Sequence, residues 1–263
     1  MIYTLKSKIG KLSWVMKIRY FIQAIKNCGI GIITKKPNPK EIPIIINNRN
    51  RYSFLKQLVD SLIQRGYSNL IILDNDSTYG PLLEYYRHCQ AKVIYLHQNL
   101  GYMALSKLDL FKEIRKGFYV YTDPDVVPID DCPENFMEIF LSLLKKHPSL
   151  TKVGFSLGIR DIPDCYEKKQ EVISHEERFW KKKIEDNVYE AKIDTTLALH
   201  RPYSKISLYK ARMARVGYPY ELKHLPWYLD SNNLPEEELY YVKNATIGGH
   251  WTNGDPQFNA DED

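Results

Sequence analysis

The sequence has few of the features that mark secreted or zinc-binding domains. Its 263 residues include four cysteines, and none of them forms a C-x-x-C pair: Cys28, Cys89, Cys132 and Cys165. Cysteines scattered in this way argue against a disulfide framework or a structural zinc site, and they suit a reducing compartment. No run of about 20 apolar residues is present, so the sequence predicts no membrane-spanning helix. We therefore expect a cytoplasmic protein.

Acidic residues are missing from the first forty positions, where nine Lys or Arg residues lie. The apolar stretch Leu12–Ile25 is interrupted by Lys17 and Arg19, which is not typical of a signal peptide. We predict residues 1–36 to be a basic appendage with a helical pattern. Its charge favours an anionic partner such as the cytoplasmic membrane face, whereas the net acidic remainder disfavours nucleic acid. A helix packed on the following domain remains an alternative.

Four short apolar runs begin roughly 25 residues apart: Ile42–Ile46, Leu70–Leu73, Val93–Leu96 and Phe118–Tyr121. Helical patterns fill the gaps between them, as in Ser53–Ile63, so the sequence predicts βαβ units. The expected fold class is α/β, with a mainly parallel sheet flanked by helices. Beyond residue 150 the pattern loosens. There we predict strands at Val153–Leu157 and Ala191–Leu199, a helix over Ser174–Asp186, and an irregular C-terminal part.

Polar residues follow each of the four predicted strands, at the edge where parallel α/β sheets bind their ligands. The strongest signal is Asp123-Pro-Asp125 after the fourth strand. Residues i and i+2 of an extended chain point the same way, so both carboxylates can face one ligand. Oxygen ligands of this kind suit Mg²⁺ or Mn²⁺ together with substrate phosphates. A solvated Asp-Pro turn is the alternative interpretation.

These polar segments resemble, in order, the motifs of glycosyltransferases with the GT-A (Rossmann-like) fold, family 2 most closely. The similar segments are Ile42–Asn50 for the opening strand and nucleotide loop, Leu73–Thr78 for the second acidic loop, Asn99-Leu-Gly101 for the Asn-x-Gly, and Asp123-Pro-Asp125 for the D-x-D. The similarity covers residues 42–128, and the rest of the chain departs from the family pattern. We expect one GT-A domain over residues 37–263, with a nucleotide-sugar half at 37–130 and an acceptor and catalytic half at 131–263.

The resemblance implies a metal-dependent, inverting transfer of a sugar from a nucleotide-sugar donor, with a UDP-sugar favoured. Membrane attachment through residues 1–36 would suit a glycan or a lipid-linked glycan as the acceptor. The donor-binding residues would be Asn47, Asn48, Arg49, Asp74, Asp76, Asn99, Gly101 and Asp123. Asp123 and Asp125 would hold the divalent cation, Mn²⁺ or Mg²⁺, and His250 after two glycines is a candidate third metal ligand.

The C-terminal half supplies candidates for acceptor binding and catalysis. Aromatic rings stack on the apolar faces of sugars, which makes acceptor-binding candidates of His224, Trp227, Tyr228 and Trp251. Core aromatics near loops are the alternative. The acidic pair usual in family 2 is not clearly present. We predict Asp230, shortly before the acidic helix start at Glu236, as the general base, with Asp194 as its rival.

Two other classes of protein share some of these features. A sugar-phosphate nucleotidyltransferase would also place paired carboxylates after a strand, but it usually carries a glycine- and basic-rich loop after the first strand. The segment Asn47–Asn50 contains no glycine. A non-enzymatic polyanion- or membrane-binding module would explain the basic N-terminal segment, but it has no need for carboxylates after successive strands.

Overall fold

The computed structural model of the chain describes residues 2–33, 37–206 and 211–245, with side chains of the first helix described from residue 14 to residue 32. Seven α-helices lie in these ranges: α1 Ile2–Ile33, α2 Ser53–Gln64, α3 Gly80–Tyr86, α4 Leu110–Ile114, α5 Phe136–Lys146, α6 Lys169–Glu177 and α7 Glu236–Asn244. Ten strands accompany them: β1 Ile44–Asn48, β2 Leu70–Asp74, β3 Lys92–Tyr95, β4 Tyr119–Thr122, β5 Val126–Pro128, β6 Lys152–Leu157, β7 Lys183–Glu185, β8 Val188–Glu190, β9 Ala198–His200 and β10 Met213–His224.

The described strands form one sheet in the order β3-β2-β1-β4-β9-β6-β10-β8-β7, and β5 pairs with β10 outside this path. The first four are mutually parallel, and β6 and β10 are parallel to each other. Strands β5, β8 and β9 run against their neighbours, so the other seven strands share one direction. The mainly parallel α/β sheet flanked by helices, predicted from the sequence, is confirmed.

The centre of the sheet is buried on both faces. Ile44, Ile45 and Ile46 of β1 are all 0% exposed, as expected for a strand covered by helices on each side. Helix α2 packs its apolar face, including Leu55 and Leu58, into the same core. The chain turns back after this helix at Gly66, whose φ of 78° is a left-handed value that glycine adopts without strain. These contacts hold β1 in the core of the molecule.

The helix predicted over Ser174–Asp186 is wrong. Instead of one helix over Ser174–Asp186, α6 ends at Glu177, and the chain forms the hairpin of β7 and β8. Asn187 sits at the turn with φ 60°, and its amide donates to the carbonyl oxygens of Gly217 (3.1 Å) and Tyr218 (2.8 Å). Pairing with β10 thus outweighs the local helical pattern.

The strand predicted over Ala191–Leu199 is confined to β9, and the residues before β9 form a loop. Long-range side chains hold this loop by its carbonyl groups. The Arg215 Nε donates to the Lys192 oxygen at 2.7 Å, and the Lys152 Nζ donates to the Asp194 oxygen at 3.1 Å. The C-terminal part is also more regular than predicted, because β10 is 12 residues long.

The N-terminal segment forms α1, which rests on the domain near the start of β6. The Asn27 amide donates to the carbonyl oxygens of Pro148 (2.6 Å) and Leu150 (3.3 Å). No helix in the described ranges is both long enough and apolar enough to cross a membrane. The predicted division of the remaining chain near residue 130 stays a prediction, and a single sheet runs through both parts.

Candidate active site

The candidate site lies at the edge of the sheet where the parallel strands β1, β2 and β4 end. The chain leaves these strands through Asn48, Asp74 and Thr122, so the polar segments found in the sequence meet at one edge. Asn48 and Asp74 are direct neighbours in the register of β1 and β2. The loops after β1, β2 and β4 therefore converge at this edge, as predicted. Hydrogen bonds connect the loop after β3, the third motif, to the same edge.

The first three loops are tied together by amide side chains. The Asn75 Nδ2 donates to the Asn47 Oδ1 at 2.5 Å, and the Asn47 Nδ2 donates to the Gly101 oxygen at 3.3 Å. The Asn75 Oδ1 accepts from the Leu100 N–H at 3.0 Å, and the Asn99 side chain accepts from the Gly101 N–H at 2.9 Å. Gly101 has φ 74°, a value that explains a glycine at this turn. This network sets the positions of the predicted donor-binding loops.

The two acidic residues of the second loop differ in environment. Asp74 is 3% exposed; its Oδ1 accepts from the Tyr86 hydroxyl at 3.0 Å and its Oδ2 accepts from the Ser77 N–H at 3.2 Å. Both oxygens are therefore engaged inside the protein. Asp76 is exposed, with φ 62°. Of the two carboxylates, that of Asp76 is open to a ligand, and the predicted base-binding role of Asp74 stays a prediction.

Two further predicted donor-binding residues act in the surrounding structure. The Asn48 amide is 0% exposed and donates to the Tyr86 hydroxyl at 2.9 Å. The Arg49 Nη1 donates to the carbonyl oxygen of Asn244, at the end of α7, at 2.5 Å. Their contact with a nucleotide stays a prediction. What the structure shows is that they support the loop after β1 and connect it to α7.

Asp123 and Asp125 stand side by side after β4, and both are half-buried. The Thr195 hydroxyl donates to the Asp123 Oδ2, and the Asp123 N–H donates to the Thr195 oxygen at 2.9 Å. Burial, and then the negative charge of Asp125, hold the pKa of Asp123 well above its usual range. Two carboxylates that repel each other in this way form a site that a cation would stabilise.

Arg51 is the main site residue that the sequence analysis missed. Its guanidinium is 3.4 Å from the Asp125 carboxylate and 3.3 Å from the Glu238 carboxylate, and it lies 3.9 Å from the centre of the Tyr241 ring. Burial opposes its charge, but Asp125 and Glu238 raise the pKa of Arg51 above its ordinary value. The sequence feature that could have indicated Arg51 is its position directly after the loop Asn47–Asn50, which already contains the basic residue Arg49.

Helix α7 covers this edge and was foreseen only as an acidic helix start. The Glu237 carboxylate accepts from the N–H groups of Tyr52 (2.6 Å) and Ser53 (2.9 Å), at the beginning of α2. The Tyr240 and Thr78 hydroxyls are 2.9 Å apart. Glu237 and Glu238 therefore lie beside the candidate site, and their signal in the sequence was three consecutive glutamates.

The predicted acceptor residues are found in three different settings. The His224 Nε2 is 3.7 Å from the Asp125 Oδ2, and burial lowers the pKa of His224. The Tyr228 hydroxyl donates to the Asp161 carboxylate at 2.6 Å while its ring stays half-buried. Trp227 is 1% exposed and belongs to the main core. The prediction that Trp227 stacks on a sugar needs correction, because neither face of its ring is open.

The two candidate general bases lie in different places. Asp194 is exposed and precedes Thr195, and its charge contributes to the raised pKa of Asp123. Asp230 is exposed as well, but its carboxylate accepts from the N–H of Asn232 at 2.9 Å within its own turn. The next residue, Ser231, donates its N–H to the Cys165 oxygen at 3.0 Å. The structure brings Asp194 to the paired carboxylates and shows no such contact for Asp230.

The fit of a divalent cation rests on Asp123 and Asp125. Among the described residues, no group of three or more His, Cys, Asp or Glu side chains is placed to hold a metal ion. Mg²⁺ and Mn²⁺ sites in enzymes that bind phosphates often use one or two carboxylates and complete their coordination with phosphate oxygens and water. The paired carboxylates fit this arrangement. His250 and Trp251, predicted for metal and acceptor binding, lie outside the described residues.

No protein-family model and no curated protein matches this chain. Solved structures do show similarity. A structure of GalNAc-T7 with UDP, GalNAc and Mn²⁺ matches with 14% sequence identity and a TM-score of 0.44, covering 70% of this chain and 43% of that chain. A cytidylyltransferase from Leptospira borgpetersenii serovar Hardjo-bovis (strain JB197) matches with 11% identity and a TM-score of 0.32, covering 46% of this chain and 56% of that chain.

This chain thus spans less than two thirds of either of these proteins. Because both TM-scores lie below 0.5, the assignment of site residues rests on the geometry of this chain. The order and direction of the strands, with the polar loops at one edge, define a GT-A-like α/β fold. That is the fold class that the four loop motifs predicted.

Proposed function

We propose that this protein is a metal-dependent glycosyltransferase that moves a sugar from a nucleotide-sugar donor, UDP-sugar favoured, to a glycan or lipid-linked glycan. The acceptor class would suit the synthesis of cell-surface polysaccharide. The observation that carries the proposal is the pair Asp123 and Asp125 at the carboxyl end of β4, where the loops after β1 and β2 also meet. Burial and then the negative charge of Asp125 raise the pKa of Asp123, and carboxylates perturbed in this way cluster at functional sites.

Each part of the site has a task in this proposal. The loops that contain Asn47, Asp76 and Gly101 would hold the nucleoside, because their amide network fixes them at one edge. Asp123 and Asp125 would hold a divalent cation, which neutralises the negative charge that develops on the leaving nucleoside diphosphate. Arg51 would keep the Asp125 carboxylate in place from the side of α7.

Donor binding is tested by thermal unfolding of the full chain with UDP, GDP, CDP and the corresponding sugars, each with and without Mn²⁺. A ligand that binds the folded state raises the melting temperature, by about 5 °C at a hundredfold excess over Kd. We expect a UDP-sugar to stabilise the protein in the presence of Mn²⁺. Nucleoside triphosphates with sugar phosphates form the comparison set, and stabilisation by these compounds alone would favour a nucleotidyltransferase instead.

We assign the general base to Asp194, because it is exposed and lies next to the residue that bonds Asp123. A carboxylate there can accept the proton of an acceptor hydroxyl while the donor is held by the paired carboxylates. A single base acting on the acceptor corresponds to inversion at the anomeric carbon. Tyr228, whose ring is half-buried beside Lys223, and His224, which is half-buried beside Asp125, are the remaining candidates for acceptor binding among the described residues.

The two candidate bases are separated by matched substitutions. Asp194→Asn keeps the side-chain shape and removes its basicity, so turnover should fall roughly 10²-fold or more with little change in donor binding. Asp230→Asn should retain near-normal turnover, because the contacts of Asp230 are confined to its own turn. Initial rates at saturating donor check both variants. If Asp230→Asn loses turnover while Asp194→Asn keeps it, the general base is Asp230 instead.

A further inference from the structure

Helix α1 has one face on the domain and one face away from it. Asn27 on the inner face is 5% exposed and holds the backbone before β6 through two hydrogen bonds. Nearby, the Arg212 guanidinium lies 5.5 Å from the centre of the Tyr20 ring. Packing on the domain, one of the two alternatives left by the sequence, is therefore present. It occupies one side of the helix.

The opposite side of α1 carries a stripe of exposed apolar residues. Seven large apolar side chains in the described part of the helix are each at least 38% exposed: Trp14, Val15, Ile18, Phe21, Ile22, Ile25 and Ile32. At 3.6 residues per turn their positions fall within a sector of roughly 120°. A contiguous exposed apolar surface with a polar rim marks an interaction site rather than ordinary solvent-facing structure. We call these seven residues the apolar stripe.

Basic residues border the apolar stripe on both sides. By the same helical geometry, Lys17 lies along one border, and Arg19 and Lys26 lie along the other; all three are exposed. Acidic residues are absent from the first forty positions of the sequence. An apolar helical face with aromatic residues and a basic rim is the pattern of helices that lie in the interface of an anionic membrane.

A basic cleft lies between α1 and the domain, on the side of Arg19 and Lys26. Its volume is about 270 Å³, and its lining includes six basic side chains, of which Arg212 is paired with the Glu190 carboxylate: Arg19, Lys26, Arg115, Arg201, Lys205 and Arg212. Two of them are fixed in place from within the domain. The Arg201 Nε donates to the Leu150 oxygen at 2.6 Å, and the Arg212 Nε is 2.7 Å from a Glu190 oxygen.

We propose that α1 docks the protein on an anionic lipid bilayer, with the apolar stripe in the interfacial layer and a lipid headgroup phosphate in the basic cleft. Charge complementarity favours a bilayer over a second copy of the chain, because the basic borders of two such faces would repel each other. The cleft adds a second contact with the same partner. Docking of this kind attaches the protein peripherally to the membrane.

The docked orientation would turn the candidate active site away from the lipid. The cleft residues Arg201 and Arg212 follow β9 and precede β10, at the edge of the sheet opposite the end of β4. A strand of six residues such as β6 spans about 20 Å at 3.3 Å per residue. Resting on the proposed function, this separation suits an acceptor that extends from the membrane, such as a lipid-linked oligosaccharide, more than a single lipid-linked sugar.

Co-sedimentation of the full chain with vesicles tests the docking, using phosphatidylcholine alone and phosphatidylcholine mixed with phosphatidylglycerol. We expect sedimentation with the mixed vesicles only. Removing two basic residues, as Arg19→Gln with Lys26→Gln, should weaken it about 30-fold, since each contributes roughly a fivefold factor near an anionic surface. Phe21→Ser with Ile25→Ser should abolish it. Both pairs of residues are exposed, so folding should be preserved.

Matched controls and a second measurement make the outcome decisive. Lys56→Gln with Lys183→Gln removes the same charge elsewhere on the surface, and Leu239→Ser removes an exposed apolar side chain from α7; both should sediment like the wild type. Equal sedimentation of all variants would overturn the proposal. Light scattering gives a second outcome that would overturn the proposal. If the wild type is a dimer and Phe21→Ser with Ile25→Ser is a monomer, the apolar stripe joins two copies of the chain. Neither readout depends on sugar transfer.

Discussion

At the scale of single residues, Arg51 decides how the candidate site is held together. Its guanidinium pairs with two carboxylates, that of Asp125 in the loop after β4 and that of Glu238 in α7. Arg51 is 4% exposed, and its desolvation is offset by these two contacts and by the Tyr241 ring. Arg51 is therefore a buried cation that links two acidic segments far apart in the sequence, and it lies beside the candidate site.

Arg51→Ala should therefore be among the most destabilising single substitutions near the site. Removing one member of a buried ion pair leaves the other charge uncompensated, which costs about 3–5 kcal/mol in the free energy of unfolding. Denaturant unfolding measures this loss. Lys56→Ala, which breaks the exposed pair with Asp60, is the control and should leave the midpoint nearly unchanged. If Arg51→Ala lowers the free energy of unfolding by less than about 1 kcal/mol, the ion pairs of Arg51 with Asp125 and Glu238 do not stabilise the packing of α7.

At the scale of elements, the close approach of β6 and β9 positions the loop that supports Asp123. A Cβ added at Gly154 would lie 2.7 Å from both the Leu197 oxygen and the Ala198 Cβ, so only glycine lets the two strands approach this closely. The loop before β9 carries Thr195, which bonds Asp123. Displacement of β9 would thus reach the candidate site through the backbone.

Gly154→Ala should destabilise the fold by about 1–3 kcal/mol, the usual cost of overpacking, and should also weaken donor binding. Gly117→Ala is the matched control, because no atom lies within 4 Å of its added Cβ, and its effect should stay below about 1 kcal/mol. Thermal unfolding with and without donor gives both quantities. Equal melting temperatures for the two variants would contradict the packing argument.

The elements that could be predicted from the sequence are those specified by local pattern. The apolar run of β1 and the helical face of α2 are continuous in the sequence, and both were found. The β7–β8 hairpin and the loop before β9 were not, because contacts with β10 and with Lys152 and Arg215 determine them. The start of α7 was predicted, because its acidic residues are consecutive in the sequence. Its position over the site was not, because that depends on the long-range contact of Glu237 with the N–H of Tyr52.

At the scale of the whole molecule, the two proposed functions lie at opposite edges of one sheet. The parallel strands end at the paired carboxylates, and α1 rests against the opposite edge. The charge distribution follows this division, since nine basic residues and no acidic residue lie within the first forty positions. Sequence could predict the motifs and the charge segregation, but it could not show which residues meet. Arg51 and Asp125 are brought together by folding.

The central claim is a donor site built on Asp123 and Asp125, and release of nucleoside diphosphate from UDP-glucose, UDP-galactose and UDP-N-acetylglucosamine tests it most directly. With Mn²⁺ the wild type should release UDP from at least one of these donors. EDTA should lower the rate roughly 10²-fold or more, and so should Asp125→Ala assayed well below its own melting temperature, because the charge on the leaving group is then uncompensated. Release that is insensitive to both EDTA and Asp125→Ala would contradict the account.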